Sequence, residues 1–494
     1  MYVVPSLCTM FTKYLFIQTS SSVIFPADLQ TLESYTCRIR HIHLHSFPER
    51  VSNHIYSSIT RHVFNRNSGF FPALRCFAIR WFNIISEENL LILPLIPPSF
   101  LSTIDIRNIT GANEIHLASF LSGITHLHPL SSTFHPLSFL RLGGTLTMST
   151  LAQLDYFKKL TTLELFLNGT DFPLVILSSL SKLPSLANFV LHTVLYDERL
   201  ILNAESSAKQ TVYSFSNLQN LKVRADASIA LGILQSILGE RLLQVTLELG
   251  AYSITTLKAC IKQCPEMAPH MLFYSIDFSE PIGLPRDMFA PLSNSYGRLR
   301  SLTIESMAFT IQHFWDFFDR TRASFSWSAL EILKLQMSDF QPNFLGIDEM
   351  VPLSSLSMLA ESCPRLHTLD LDLYHPLGEE GDRKTELLTT YIQSSQPTDH
   401  KLTHLKIVFF DPFLTVPQPG DIMDAITVSR FIDHIFPNVQ NVEISEGLLE
   451  VREEWCAGIQ AMMKNYRDVR EKKENSFQTR PTILAEIHHF VDRR

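Results

Sequence analysis

Three histidines alternate at His41, His43 and His45. Successive side chains of an extended segment point to opposite faces, so these three imidazoles would share one side of a strand. Imidazoles gathered on one face can hold zinc or a related ion. No cysteine or carboxylate adjacent in sequence completes the set, and the flanking residues Arg38 to Leu44 read as the surface of a first strand. The expectation is that no metal binds here. Cys260 and Cys264 are four apart and precede Pro265. A core-facing helix residue followed by a cysteine opening a repeat explains them better than a metal pair. His488 and His489 are adjacent, without zinc-site spacing, and His400 carries no partner signal. Gly143-Gly144 lies beside Arg141 but outside any phosphate-loop pattern. Ser275, Asp277 and the scattered histidines form no nucleophile elbow. No catalytic residue, cofactor or metal is expected, and the chain is not expected to be an enzyme.

A second set of polar residues points to binding. Asp370 and Asp372 alternate with Leu369, Leu371 and Leu373, and Asp105, Glu164, Lys406 and Glu443 hold comparable positions elsewhere. All six should point away from an apolar wall. They are the candidate protein-contact face, of mixed charge. Ordinary solvation of that face explains the same pattern equally well.

The elements that must position these residues are written in one recurring phrase, Leu-x-x-Leu-x-Leu after a proline or polar residue. It runs from Leu186 to Leu191 with Phe189 at its fourth position, from Leu218 to Val223, and from Leu366 to Leu371. Other copies lie at 38–44, 71–79, 99–106, 137–142, 160–165, 299–304, 330–335, 402–407 and 436–444, with weaker ones near Leu243 and Met271. This is the signature of a leucine-rich-repeat solenoid of about thirteen or fourteen turns. The predicted fold is α/β: an irregular, curved solenoid with parallel strands on the concave side and mainly helices on the convex side. Leu163, Leu165, Leu302, Leu369, Leu371 and Leu405 should face its continuous core. Amphipathic segments at 355–360, leading into Glu361-Ser362-Cys363-Pro364, and at 431–437 supply the other wall, each closed by its proline, Pro364 or Pro437. A short asparagine after the strand is mostly missing, Asn168 being a candidate, which favours the irregular intracellular type.

Composition agrees. Hydrophobic residues make up 45% of 494, with mean hydropathy +0.09, so a large core is available. Charged residues are 18%, the formal net charge is −8 and the isoelectric point about 6.2, which favours no nucleic-acid partner. Many of the 35 phenylalanines should fill places another repeat protein would give to leucine. Seven scattered cysteines fit a reducing compartment, cytoplasm or nucleus, better than a disulfide framework. Residues 1–25 lack the signal-peptide pattern, and Leu90 to Phe100 is too short and proline-rich to span a bilayer, so no membrane is expected. The segments 279–296 and 375–400 interrupt the array and should contain exposed loops. The predicted divisions are a divergent N-terminal segment or cap (1–34), the solenoid (35–465) and a charged cap or tail (466–494). The last amphipathic helix should use Trp455, Ile459 and Met462 as its apolar side.

In order and number these phrases resemble the fungal, mushroom-type F-box and leucine-rich-repeat proteins. Pro26 to Gln30, Tyr35 to Ile42, Phe71 to Arg75 and Val428 to Val439 carry the resemblance, which covers about residues 26–465. It implies a protein-binding module: repeats that hold a protein ligand or substrate, with an N-terminal F-box docking on a Skp1-like adaptor of an SCF-type ubiquitin ligase. The usual Leu-Pro-x-Glu opening is absent from residues 1–30. The expectation is therefore the substrate-holding half, with the docking module lost or lying upstream, and a ubiquitin-ligase role only if such a module exists.

Overall fold

The inward leucines set the register of everything else. In the computed structural model each phrase becomes one short strand, and within each unit of the chain the strands of successive phrases pair in parallel. The structure describes residues 34–44, 70–80, 101–126, 137–168, 174–194, 211–250, 253–278, 297–306, 310–318, 327–336, 351–375, 379–410, 421–446 and 455–470, with short pieces at 61, 90, 93–96, 288, 292 and 472. The chain divides into two units, Met1–Ala268 and Pro269–Arg494.

The first unit carries β1 (His41–Leu44), β2 (Cys76–Ile79), β3 (Thr103–Ile109), β4 (Phe139–Gly144), β5 (Thr162–Asn168), β6 (Asn188–Val194), β7 (Tyr213–Ser214), β8 (Asn220–Ala225), β9 (Ile237–Leu238) and β10 (Gln244–Leu249). Eight of these form one parallel sheet in the order β1-β2-β3-β4-β5-β6-β8-β10, while β7 and β9 pair by themselves. Its longer helices are α1 (Glu114–His126), α2 (Ala227–Ser236) and α3 (Ile254–Met267). The second unit carries β11 (Phe273–Phe278), β12 (Ser301–Glu305), β13 (Ile332–Gln336), β14 (Thr368–Tyr374), β15 (His404–Phe410) and β16 (Asn441–Glu446), again parallel and in chain order. Helices α4 (Ile311–Phe318), α5 (Ser355–Ser362), α6 (Glu379–Ser394) and α7 (Asp421–Ile435) flank it, followed by a helix over 455–470. The architecture is α/β, a parallel sheet with flanking helices.

Strand alternation separates the two faces. Leu333, Leu369 and Leu405 stack in register with Val442, and Leu163 stacks with Phe189. Leu163, Leu165, Leu302, Leu369, Leu371 and Leu405 are all buried, as the pattern predicts. Each such side chain contributes about 1.5–3 kcal/mol of burial. Phe77, Phe189 and Phe409 take leucine positions in β2, β6 and β15 and are fully enclosed.

A backbone device repeats just before the strands. One carbonyl accepts two successive N–H groups from the next turn. Arg75 O accepts from Ser102 and Thr103, Ser102 O from Ser138 and Phe139, and Ser138 O from Thr161 and Thr162. In the second unit Arg300 O, Glu331 O, His367 O and Thr403 O do the same. Using both lone pairs satisfies donors that the strand ladder has not yet reached.

Gly143-Gly144 has a structural role. Gly144 sits at φ +126°, and a Cβ there would lie 2.0 Å from the Ile109 carbonyl oxygen. The irregular pairing of β3 with β4 between Ile106 and Ile109 closes over this glycine.

Three sequence expectations are corrected. Residues 379–394, read within an interruption containing exposed loops, form α6; Pro376 and Gly378 precede it, and the segment Thr385 to Ser394 carries few breakers. Cys264 does not open a repeat. The helix α3 runs on to Met267 with Pro265 in its last turn, where only one intrahelical bond is lost. In the helix over 455–470 Trp455, Ile459 and Met463 are buried; Met462 is half-buried and its Sδ accepts from Ser429 Oγ. The prolines at 364 and 437 do follow helix ends, as read. Residues 1–33, most of 279–296 and 473–494 lie outside the described residues. No helix among the described residues is long and apolar enough to cross a membrane.

Candidate functional site

In each unit the residue between the fourth and sixth positions of a phrase, its last two inward side chains, points outward, and lateral pairing turns these into a row. In the first unit it runs Ala78, Asp105, Arg141, Glu164, Val190, Lys222, Thr246. In the second it runs Ser275, Thr303, Lys334, Asp370, Lys406, Glu443. Opposite charges are neighbours from Asp105 to Glu164 in the first row and from Lys334 to Glu443 in the second. Directly opposed pairs of this kind contribute about 0.2–1 kcal/mol each.

Asp105 is expected outward and solvated, but its side chain is only 1% exposed. Arg80 Nε donates to it at 2.6 Å, Arg107 Nε at 3.0 Å, and Arg141 lies 3.4 Å away. Arg141 also pairs with Glu164, and its guanidinium rests over the Phe139 and Phe166 rings. Burial works against the Arg141 charge, but Glu164 and Asp105 outweigh it and hold the guanidinium above its ordinary value. Asp105 and Glu164 thus belong to one saturated cluster.

The second unit arranges the same position differently. Asp370 is buried; Gln336 Nε2 donates to its Oδ2 at 2.5 Å, and Lys406 Nζ lies 3.7 Å from that oxygen. The other oxygen, Oδ1, has no hydrogen-bond partner among the described residues. Burial pushes the carboxyl above its ordinary value, against the pull of Lys406, the Gln336 hydrogen bond and Lys334. Asp370 opens onto a cleft of about 840 Å³ floored by β14–β16 and walled by the helix over 455–470. Lys334, Lys406, Lys464 and Arg467 outnumber Asp370 and Glu443 around it. Arg467 is tied to the Gln440 carbonyl and Gln460 to the Ile444 carbonyl, which fixes the helix against the last strand. Of the six predicted contact residues, Asp370, Lys406 and Glu443 meet here. Asp372 is buried beside Val408 and does not line the cleft.

A third place was missed. His41 lies opposite Cys76 in the β1–β2 pairing. His41, His43 and Cys76 bring one ligand atom each to within 4.8 Å of one another. His43 Nε2 is 3.9 Å from Cys76 Sγ, and the two imidazoles stack with centroids 6.5 Å apart. Burial raises the Cys76 thiol, while Arg80 opposes the shift and Asp105 adds to it. Aligning the first two phrases, Ile42 with Phe77 and Leu44 with Ile79, would have placed Cys76 beside His41. His45 lies outside the described residues.

This cluster corrects two expectations. The chain was read as non-enzymatic, and as a plain F-box-like leucine-rich-repeat scaffold or ubiquitin-ligase adaptor without chemistry of its own. A His-His-Cys set able to coordinate a metal is a candidate catalytic or cofactor-binding centre, so that description does not stand. The missing ligand was sought next to the histidines in sequence; it comes from the neighbouring strand, 33 residues from His43.

Two other polar groupings are structural. His375 Nε2 is 3.0 Å from both oxygens of Asp424, Thr385 donates to Asp424, and Trp455 stacks on His375. The hydroxyl contacts the acid rather than the imidazole, so the order is wrong for a nucleophile. Cys260 and Cys264 are buried in α3, donating to the Ala227 and Cys260 carbonyls, and burial drives the Cys260 thiol strongly upward. No protein-family model matches the chain, and no curated protein shows significant similarity to it.

Proposed function

We propose that this chain is a recognition protein that holds a partner protein on the outward face of its strands, with the cleft beside Asp370 as the principal contact. The reading takes the array as a curved leucine-rich-repeat solenoid, strands concave and helices convex. The repeated one-strand turns and the bifurcated carbonyl before each strand support it. It also takes the chain as kin to the repeat portion of the fungal F-box and leucine-rich-repeat proteins, on the order of its phrases. A reducing compartment, cytoplasm or nucleus, suits its scattered cysteines.

The observation that carries the contact is Asp370 Oδ1. A buried carboxylate oxygen without a donor costs free energy, and a ligand N–H or O–H would recover it. The four cations around the cleft favour a carboxylate nearby. The partner is therefore an extended acidic segment that offers one donor group to Asp370.

A random peptide display panned against the intact protein tests this. Acidic peptides should be enriched, and Lys406→Glu or Asp370→Ala should weaken them about tenfold, or ~1.4 kcal/mol. Enriched peptides that ignore Asp370, Lys406 and Lys464 substitutions would overturn the assignment of this cleft.

A further inference from the structure

We propose that His41, His43 and Cys76 form a three-ligand site for a borderline-soft divalent ion such as zinc, with the fourth coordination position open to solvent. The site goes beyond the partner-binding reading and lies on a different part of the chain.

Its placement follows from the repeat register. Ile42 and Phe77 are both fully buried, so alternation turns His41, His43 and Cys76 to the other face. Parallel pairing then sets Cys76 opposite His41, while His43 Nε2 reaches to 3.9 Å from Cys76 Sγ. Around a tetrahedral zinc, with bonds of about 2.0–2.1 Å to nitrogen and 2.3 Å to sulfur, neighbouring ligand atoms lie roughly 3.3–3.6 Å apart. The observed spread of up to 4.8 Å must therefore close by roughly an ångström. Both histidines are exposed, so side-chain rotation suffices and the backbone need not move.

The donor chemistry selects the ion. Two imidazoles and a thiolate favour zinc, cobalt(II) or copper over magnesium and calcium, which prefer oxygen. Binding must remove the thiol proton, which burial resists and the metal charge drives. Three protein ligands with a solvent position is the arrangement of zinc sites that activate water or polarise a carbonyl. The ligand at the fourth position is thus water or a small oxygen or nitrogen donor.

Cobalt(II) reports all of this in one titration of the intact, chelator-treated protein. The expected result is a thiolate-to-cobalt charge-transfer band saturating at one equivalent, with bound zinc displacing the cobalt. Cys76→Ser should remove the band, and His43→Gln should weaken binding at least ~10-fold. Cys37→Ser, at an exposed cysteine outside the cluster, should leave both unchanged. Circular dichroism of each variant separates a lost ligand from a lost fold; should Cys76→Ser unfold, the His43→Gln titration alone decides. Azide should shift the cobalt visible bands if the fourth position is open. An undiminished band in Cys76→Ser, binding unaffected by His43→Gln, or no band at all would overturn the site. An unshifted spectrum with azide would overturn its open position.

Discussion

Asp105 and Asp370 occupy the same place in their repeats, between the two inward side chains of a strand, yet they end in opposite states. Asp105 is enclosed by three guanidiniums. Asp370 has one oxygen engaged by Gln336 and Lys406 and the other without a donor beside a cleft. Arginine's planar fork can serve a carboxylate from several directions, whereas lysine delivers a compact charge on a flexible stem. One aspartate is therefore consumed within the first unit and the other is left receptive in the second. An outward position in a repeat does not by itself make a contact residue; its lateral neighbours decide.

The comparison can be broken from its shared side first. The inward leucines are equivalent in both units, so Leu163→Asp and Leu369→Asp should be equally damaging. Each would bury an unpaired charge and cost about 4 kcal/mol or more, read by urea denaturation. Unchanged stability in either would remove the common core on which the comparison stands.

Asp105→Ala should follow in size. It leaves three arginines facing one another, but they are 21–43% exposed and solvent screens much of the repulsion. A loss of about 1–2 kcal/mol is expected, larger at low salt than at high salt. A salt-independent change would mean that the cluster is held by packing instead.

Asp370→Asn should have the smallest effect on stability, within about 1 kcal/mol and toward stabilisation at neutral pH. The sign follows from linkage. The folded carboxyl is raised above its ordinary value, so the folded state holds its proton more tightly than the unfolded chain. This group therefore lowers stability as pH rises from the ordinary carboxylate range through its raised value, and the penalty persists above it. Urea titrations of both proteins across that acid range should show the wild type falling behind Asp370→Asn as pH rises. A gap that instead widens on acidification would reverse the assignment. The same substitution should still weaken an acidic peptide that donates to Asp370.

Much of the frame was legible before the structure. Leu369 and Leu371 announce an inward face by alternation alone, and Pro364 and Pro437 announce helix ends by their missing donor. The candidate face was legible in part: Asp370, Lys406 and Glu443 do adjoin. Asp372 is buried beside Val408 and stands apart from that cleft, because alternation gives direction but not what else covers a side chain. The segment 375–400 was misjudged because Gly378, Gly381 and Pro376 outweigh in reading the helix-forming residues that follow them.

Local sequence thus determined strand positions, the inward row and its parallel stacking, because those depend on a period within a few residues and on burial of one face. Tertiary structure alone decided which outward residues meet. Asp105 finds Arg141 across 36 residues, Cys76 finds His43 across 33, and Gln336 finds Asp370 across 34. Those encounters are set by lateral register between turns of unequal length, and the charge, desolvation and ligand geometry at each site exist only once that register has formed.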